Sequence, residues 1–215
     1  QSKIENRLWV AGGTGNDEEA ILLDVYQQLK QDARFADLRL AIVPRKPERF
    51  DEVAQLIKEK GFDLIRYSQV KKAVRENAAT TEKSSIVNRQ SSIVVLGDTM
   101  GDLRKFYSLA SIIFVGRSLV PMGGSDMMEA AALGKCTLFG PHAFNFKQTV
   151  DALLDDNGAI LVKNKEELLG AMTKCLSEPD YAQQIAQNGR KVIIKNQGAT
   201  QNTIAQIARL LSTQP

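Results

Sequence analysis

Histidine and cysteine are nearly missing from this sequence, which has one histidine and two cysteines in 215 residues. Cys136 and Cys175 stand far apart, and neither falls in a Cys-x-x-Cys pair or a Cys/His cluster of metal-binding spacing. No metal centre is expected, and so few cysteines fit a reducing, cytoplasmic-type setting. The lone His142 has no second histidine to share a metal, and no nucleophile and carboxylate in a recognisable triad. Long apolar runs are missing too: Ser92–Leu96 and Ile112–Val115 are strand-sized, against the roughly 20 residues a membrane span needs. Charge of one sign is also lacking. The 28 basic and 25 acidic residues leave +3, with no basic block or interleaved aromatics to track a nucleic-acid backbone, so nucleic acid is not an expected partner. The polar start, Gln1–Arg7, carries no secretory signal and no initiator methionine; it reads as a linker or tag remnant of something longer.

What is present is enough for one good core. With 43% hydrophobic and 25% charged residues, the chain fits a single domain over residues 8–215. Short β-rich runs alternate with helical patterns, the signature of an α/β fold: a Rossmann-like parallel sheet with helices on both faces. Strands are expected at Leu8–Ala11, Leu38–Val43, Leu64–Tyr67, Ile93–Leu96, Ile112–Val115, Cys136–Phe139 and Ala159–Val162. Helices are expected at Asp17–Lys30, Phe50–Lys60, Asp102–Ala110, Ser125–Leu133, Phe146–Leu154, Lys165–Ser177, Pro179–Ile194 and about Ala199–Leu211. Ile21, Leu22, Val25 and Leu29 share one face of the first helix, and Asp17, Glu18 and Glu19 suit the positive end of its dipole. Between Ser68 and Ser92 the apolar rhythm stops, which reads as a long polar excursion.

In an open parallel sheet the ligand sits at the carboxyl ends of the strands, so the residues just after each strand are the informative ones. Gly12-Gly13-Thr14-Gly15 precedes a helix and reads either as an ordinary tight turn or as a loop that lets backbone N–H groups hold a phosphate. Pro44-Arg45-Lys46-Pro47 stiffens a loop presenting Arg45, which is either solvated or grips phosphate oxygens. Gly97-Asp98-Thr99-Met100-Gly101 exposes backbone groups suited to a nucleobase edge. Gly123-Gly124 leads into a helix expected to start at Ser125, a residue placed to cap it or to hold a phosphate. Glu129, one turn on, has the reach of a ribose-hydroxyl acceptor, and the ligand reading is the preferred one for this loop. Met127 and Met128 read as core filler. His142 reads as a loop hydrogen bonder or a contact to a sugar acid, not as a catalytic base.

A run of motifs then resembles one family. Trp9-Val10-Ala11-Gly12, Val43-Pro44-Arg45, Pro47-Glu48-Arg49-Phe50, Leu96-Gly97-Asp98-Thr99-Met100-Gly101, Ser118-Leu119-Val120-Pro121-Met122-Gly123-Gly124, Ala131-Ala132-Leu133-Gly134-Lys135, Leu138-Phe139-Gly140-Pro141-His142 and Phe144-Asn145-Phe146 occur in the order found in the bacterial 3-deoxy-D-manno-octulosonic acid (Kdo) transferases. The resemblance implies the C-terminal half of a GT-B glycosyltransferase, whose donor is CMP-Kdo and whose acceptor is a lipid A precursor in lipopolysaccharide biosynthesis. It implies donor contacts at Gly13, Thr14, Arg45, Asp98, Thr99, Met100, Gly101, Gly123, Gly124, Ser125, Glu129, His142 and Asn145. Transfer would be inverting and independent of metal or other cofactor, with Arg45 as the candidate stabiliser of the leaving CMP. The general base, the acceptor site and the peripheral association with the cytoplasmic face of the inner membrane would belong to an N-terminal domain absent here, so this chain alone is expected to be inactive. The helix near residues 199–211 would cross onto that domain, leaving Ile204, Ile207, Leu210 and Leu211 poorly covered. The sequence departs from the family where Ser125-Asp126 replaces a common His-Asn pair and Ala130 a common proline, and an inward Asp126 would repel a phosphate. Two rivals stand beside this reading: a GT-B-fold epimerase binding a UDP-sugar, and a nucleotide-binding module without chemistry.

Overall fold

The computed structural model describes residues 7–76 and 93–196, together with 204, 207 and 208. Seven strands form one parallel sheet: β1 (Leu8–Thr14), β2 (Arg39–Pro44), β3 (Asp63–Arg66), β4 (Ile93–Leu96), β5 (Ile112–Val115), β6 (Cys136–Phe139) and β7 (Ile160–Leu161), in the order β3-β4-β2-β1-β5-β6-β7. The helices are α1 (Glu18–Lys30), α2 (Phe50–Glu59), α3 (Tyr67–Arg75), α4 (Leu103–Leu109), α5 (Met128–Ala132), α6 (Lys147–Asp155), α7 (Lys165–Ser177) and α8 (Pro179–Lys195). The sheet is buried on both faces because its central strands are apolar throughout. In β1, Trp9 and Ala11 pack with α1, α2 and α7 on one side, while Val10 faces the α4, α5, α6 and α8 side. Such side chains, fully removed from water, each contribute roughly 1.5–3 kcal/mol relative to exposure. The chain winds outward from β1 in both directions, so the switch point lies between β1 and β5.

Several boundaries differ from the sequence expectation, each for a local reason. The expected turn at Gly12–Asn16 is mostly strand. β1 runs through both glycines to Thr14 with an irregularity between Gly12 and Thr14, which Gly13 accommodates at φ 67°. The expected helix Ser125–Leu133 shrinks to five residues, Met128–Ala132. The left-handed backbone of Gly123 and Gly124, at φ 88° and 83°, sends the chain into an extended stretch before any helical turn forms. The polar excursion expected from Ser68 opens instead as a helix, α3, which begins one residue after β3 and buries none of its side chains. Its remainder, residues 77–92, lies outside the described residues, as do Leu210 and Leu211 of the expected last helix. Ile204 and Ile207 are helical and 60% and 50% exposed. Arg7, the last residue of the expected leading remnant, lies just before β1; its carbonyl accepts from Arg39 N–H at 2.9 Å, and its guanidinium pairs with Asp37 at 3.3 Å. Among the described residues no helix is long and apolar enough to cross a membrane.

Candidate functional site

The five loops singled out in the sequence follow β4, β2, β1, β5 and β6, which are the five consecutive central strands of the sheet. All therefore emerge along one edge, the carboxyl edge, on both sides of the switch point. At the middle, the loops after β1, β5 and β6 interlock. Ser125 Oγ donates to the Gly13 carbonyl at 2.9 Å, and a Cβ on Gly13 would lie 2.6 Å from that oxygen, so only glycine lets the two segments meet. Gly116 N–H donates to Gly12 O at 2.8 Å. The Ser118 hydroxyl accepts from Gly140 N–H at 2.8 Å, the Ser118 carbonyl accepts from His142 N–H at 2.9 Å, and Asn145 N–H reaches Gly123 O at 3.2 Å.

The pin through this junction is Glu18, whose residue exposure is 0%. Its carboxylate accepts from the backbone N–H groups of Gly15 (3.1 Å), Ser118 (2.7 Å) and Leu119 (2.8 Å), and from Arg117 N–H as well. Arg117 itself sits at φ 60°, which turns consecutive N–H groups inward to form a concave nest around the carboxylate. Burial works against the charge and outweighs the pull of the four donors, leaving the Glu18 carboxyl above the ordinary glutamate range. Glu19, also fully buried, organises the neighbouring loop. Thr14 Oγ1 donates to it at 2.8 Å, and Arg49 grips both its oxygens at 2.6 and 3.2 Å while also reaching Glu52 at 2.8 Å. That pairing, with Arg45 N–H on Thr14 O at 3.0 Å, holds the Pro44–Pro47 loop against the end of β1.

On this frame the expected ligand residues divide. The Arg45 side chain is exposed and, among the described residues, has no carboxylate partner, so its guanidinium is free for an incoming anion. Among the described residues no protein acceptor takes the N–H groups of Ser125, Asp126 and Met127, just beyond the two left-handed glycines, whereas Gly124 N–H is already bound to Arg117 O at 2.8 Å. These N–H groups belong to an extended stretch that precedes the helix, not to the first turn of the helix itself. Ser125 caps nothing. The N-cap position is Met127, and Asp126 just before it accepts from Met128 N–H through Oδ1 at 2.8 Å, which turns its carboxylate onto α5. Glu129 is 31% exposed at its side chain and lies 3.8 Å from Arg104.

The Thr14 hydroxyl is committed to Glu19, and the Asp98 carboxylate is committed too: Arg66 Nε (2.7 Å), Ser68 Oγ (2.6 Å) and Ser68 N–H (2.8 Å) all donate to it. Burial alone would raise Asp98, but the Ser68 hydrogen bonds and the Arg66 charge hold it below the usual aspartate range. What this loop can offer a ligand is Thr99, the backbone of Met100 and Gly101, and the Met100 side chain, 63% exposed. Gly13 is buried and lends only close backbone approach, His142 is half-buried, and Asn145 is exposed with its side-chain amide lying over Gly123. No group of histidine, cysteine or carboxylate residues among those described could hold a metal ion.

No family model matches the chain. Among curated proteins, a 3-deoxy-D-manno-octulosonic acid transferase of Haemophilus influenzae is 32% identical over 203 residues, which is 94% of this chain and 44% of that protein. One from Bordetella pertussis is 29% identical over 193 residues, 89% of this chain and 42% of that protein. The chain is a relative of the Kdo transferases. It spans less than half the length of the curated Kdo transferases it matches. The C-terminal CMP-Kdo binding domain of WaaA from Acinetobacter baumannii superposes on 88% of this chain and 90% of its own, with TM-score 0.73 and 28% identity, so the fold is that of the C-terminal half of a GT-B glycosyltransferase.

Sequence reasoning missed the pins of this Kdo-transferase-like rim. Glu18, Leu22, Val25 and Leu29 share one helix face, so a carboxylate heads the apolar stripe of α1; that position was the available signal, and the dipole reading hid it. Ser118 and Arg49 lay inside the quoted motifs without a role. Nothing in the local pattern marks a serine as a hub between two loops.

Proposed function

We propose that this chain binds the CMP moiety of CMP-Kdo at the carboxyl edge of its sheet, as the donor half of a Kdo transferase acting in lipopolysaccharide biosynthesis. The observation that carries the reading is the coincidence of an exposed Arg45, without an ion-pair partner among the described residues, and the unpaired backbone N–H groups of Ser125 and Asp126 on a rim whose fold matches a CMP-Kdo binding domain. Arg45 and the N–H groups of Ser125 and Asp126 take the phosphate. Their positive potential, fixed before the ligand arrives, stabilises CMP as the negative charge of the leaving group develops. The loop of Asp98 to Gly101 supports the cytosine, with Asp98 as the latch that holds the loop rather than as a base contact. Glu129, in the first turn of α5 with its side chain 31% exposed, accepts from a ribose hydroxyl.

Displacement at the anomeric carbon of Kdo with inversion requires a general base and a bound acceptor. Both belong, on this proposal, to a domain beyond this chain, together with the lipid A precursor site and attachment to the cytoplasmic face of the inner membrane. This chain then binds donor and does not transfer it. Parallel calorimetric titration with CMP, UMP and GMP tests the proposal: binding selective for CMP is expected. A preference for UMP turns the reading to a UDP-sugar epimerase, and CMP binding by a whole protein that transfers no sugar turns it to a module without chemistry.

A further inference from the structure

Helix α3 is an odd element for an α/β domain, because none of its side chains is buried, yet it is fixed firmly to the sheet. Tyr67 meets the Phe106 ring edge-on at 5.0 Å, Ser68 is bound to Asp98 through both its N–H and its hydroxyl, and Lys71 Nζ pairs with Asp102 at 2.6 Å. What this anchoring presents is a cleft of about 420 Å³ between α3 and the loop after β4, lined by Ser68, Lys71, Lys72, Arg75, Glu76 and Thr99. Three of these are cations, Lys71, Lys72 and Arg75, against the two carboxylates Glu76 and Asp102, and Lys105, outside the lining, shares Asp102 with Lys71. Asp102 is saturated by two lysines and the Thr99 hydroxyl, and Lys72 to Glu76 is a long 4.0 Å pair between exposed side chains. Arg75, among the described residues, has no ion-pair partner.

A solvated helix face scatters its charges and holds none of them still. Here the helix is pinned from below by a buried aspartate, the cations line a concavity, and the positive charge is left in excess. We propose that this cleft is a second anion site, for a phosphate-bearing group, which adjoins the proposed donor rim at Thr99 and is separate from its phosphate end at Arg45. Lys72 and Arg75 supply the free charges, Lys71 is held in place by Asp102, and Ser68 and Thr99 line the polar floor. Two sources share that chemistry: a soluble phosphate compound, and the phosphate headgroup of an anionic lipid. Val70 and Val74, 45% and 72% exposed one turn apart on the same helix, lie beside the cations.

The test uses the folded chain and two probes. In one arm, glycerol phosphate is titrated while the amide shifts of Lys71, Lys72 and Arg75 are followed. In the other, the chain is floated with vesicles of phosphatidylcholine, with and without phosphatidylglycerol. The double variant Lys72→Glu/Arg75→Glu is compared with Lys191→Glu/Lys195→Glu, the same change of net charge at two exposed positions of α8, after both are shown to unfold at the wild-type temperature. Binding in either arm that weakens at least about tenfold in the first double variant and not in Lys191→Glu/Lys195→Glu supports the site, and the arm that responds names the source. Absence of binding in both arms overturns it, as does equal weakening in both variants. Arg45→Ala is expected to leave this binding unchanged, so failure here and failure of CMP binding are separate results.

Discussion

Removing the Glu18 carboxylate is expected to loosen the whole rim. Glu18→Ala leaves the N–H groups of Gly15, Arg117, Ser118 and Leu119 facing a small buried space with no acceptor. Each orphaned buried donor costs about 1–3 kcal/mol taken singly. The four share one carboxylate, so their costs do not add, and the loop can relax to admit water. A net loss of about 3–5 kcal/mol is the expectation, in line with breaking other buried polar networks. For a chain of this size that lowers Tm by roughly 6–20 °C. Glu18→Gln keeps the shape and one accepting oxygen for Ser118 and Leu119 but turns an NH2 toward Gly15 and Arg117, so it is expected to fall between Ala and wild type. Urea unfolding gives the free energies, and amide spectra show whether residues 116–119 shift first. A Glu18→Ala variant within about 0.5 kcal/mol of wild type, the range of an ordinary surface substitution, would refute this account of the rim.

Gly13→Ala is expected to cost about 1–2 kcal/mol from its left-handed backbone alone, and to displace Ser125, so weakened CMP binding with a modest Tm loss is the outcome to check by calorimetry. Asp98 and Asp102 are both held below the usual range, Asp98 by Ser68 and Arg66 against the effect of its burial, Asp102 by Lys105, Lys71 and Thr99. A depressed folded pKa adds stability that is present above the unfolded value and lost as pH falls through the folded one. Acid titration of stability should therefore show wild type and Asp98→Asn separated above about pH 5 and converging below about pH 4. Cys136 and Cys175, buried with their sulfurs 3.7 Å apart, should resist a thiol reagent in the native state and react only at the rate of unfolding, their pairing and burial pushing the Cys136 thiol up.

The layers of this fold were legible because strand and helix periods alternate cleanly, and because both faces of the sheet are covered: Ile112–Val115 and Cys136–Phe139 read as short apolar runs and are fully buried strands. That the five loops would share one edge was legible because a parallel sheet brings the residues after β1, β2, β4, β5 and β6 to its carboxyl side. What escaped was the use to which polar side chains are put once distant loops meet. Thr14 and Asp98 read as ligand groups, but a buried glutamate and an arginine from another strand end take up their oxygens. Asp126, which would repel a phosphate if it pointed inward, has its carboxylate on Met128 N–H, because the glycine pair delays the helix by three residues. The α3 turn was hidden for a different reason. Its anchors are the Phe106 ring, Asp98 and Asp102, all on the far side of the excursion in sequence, and its own residues bury nothing.

The central claim, CMP held at the carboxyl edge of the sheet, is tested most directly by mapping amide shifts of the isotope-labelled chain during titration with CMP. The account predicts a continuous set of shifts at Arg45, Thr99 to Gly101, and Gly123 to Glu129, with all of them lost in Arg45→Ala while the fold and Tm are kept. Shifts confined to α3, shifts spread without pattern, or a CMP response that survives Arg45→Ala unchanged would contradict it.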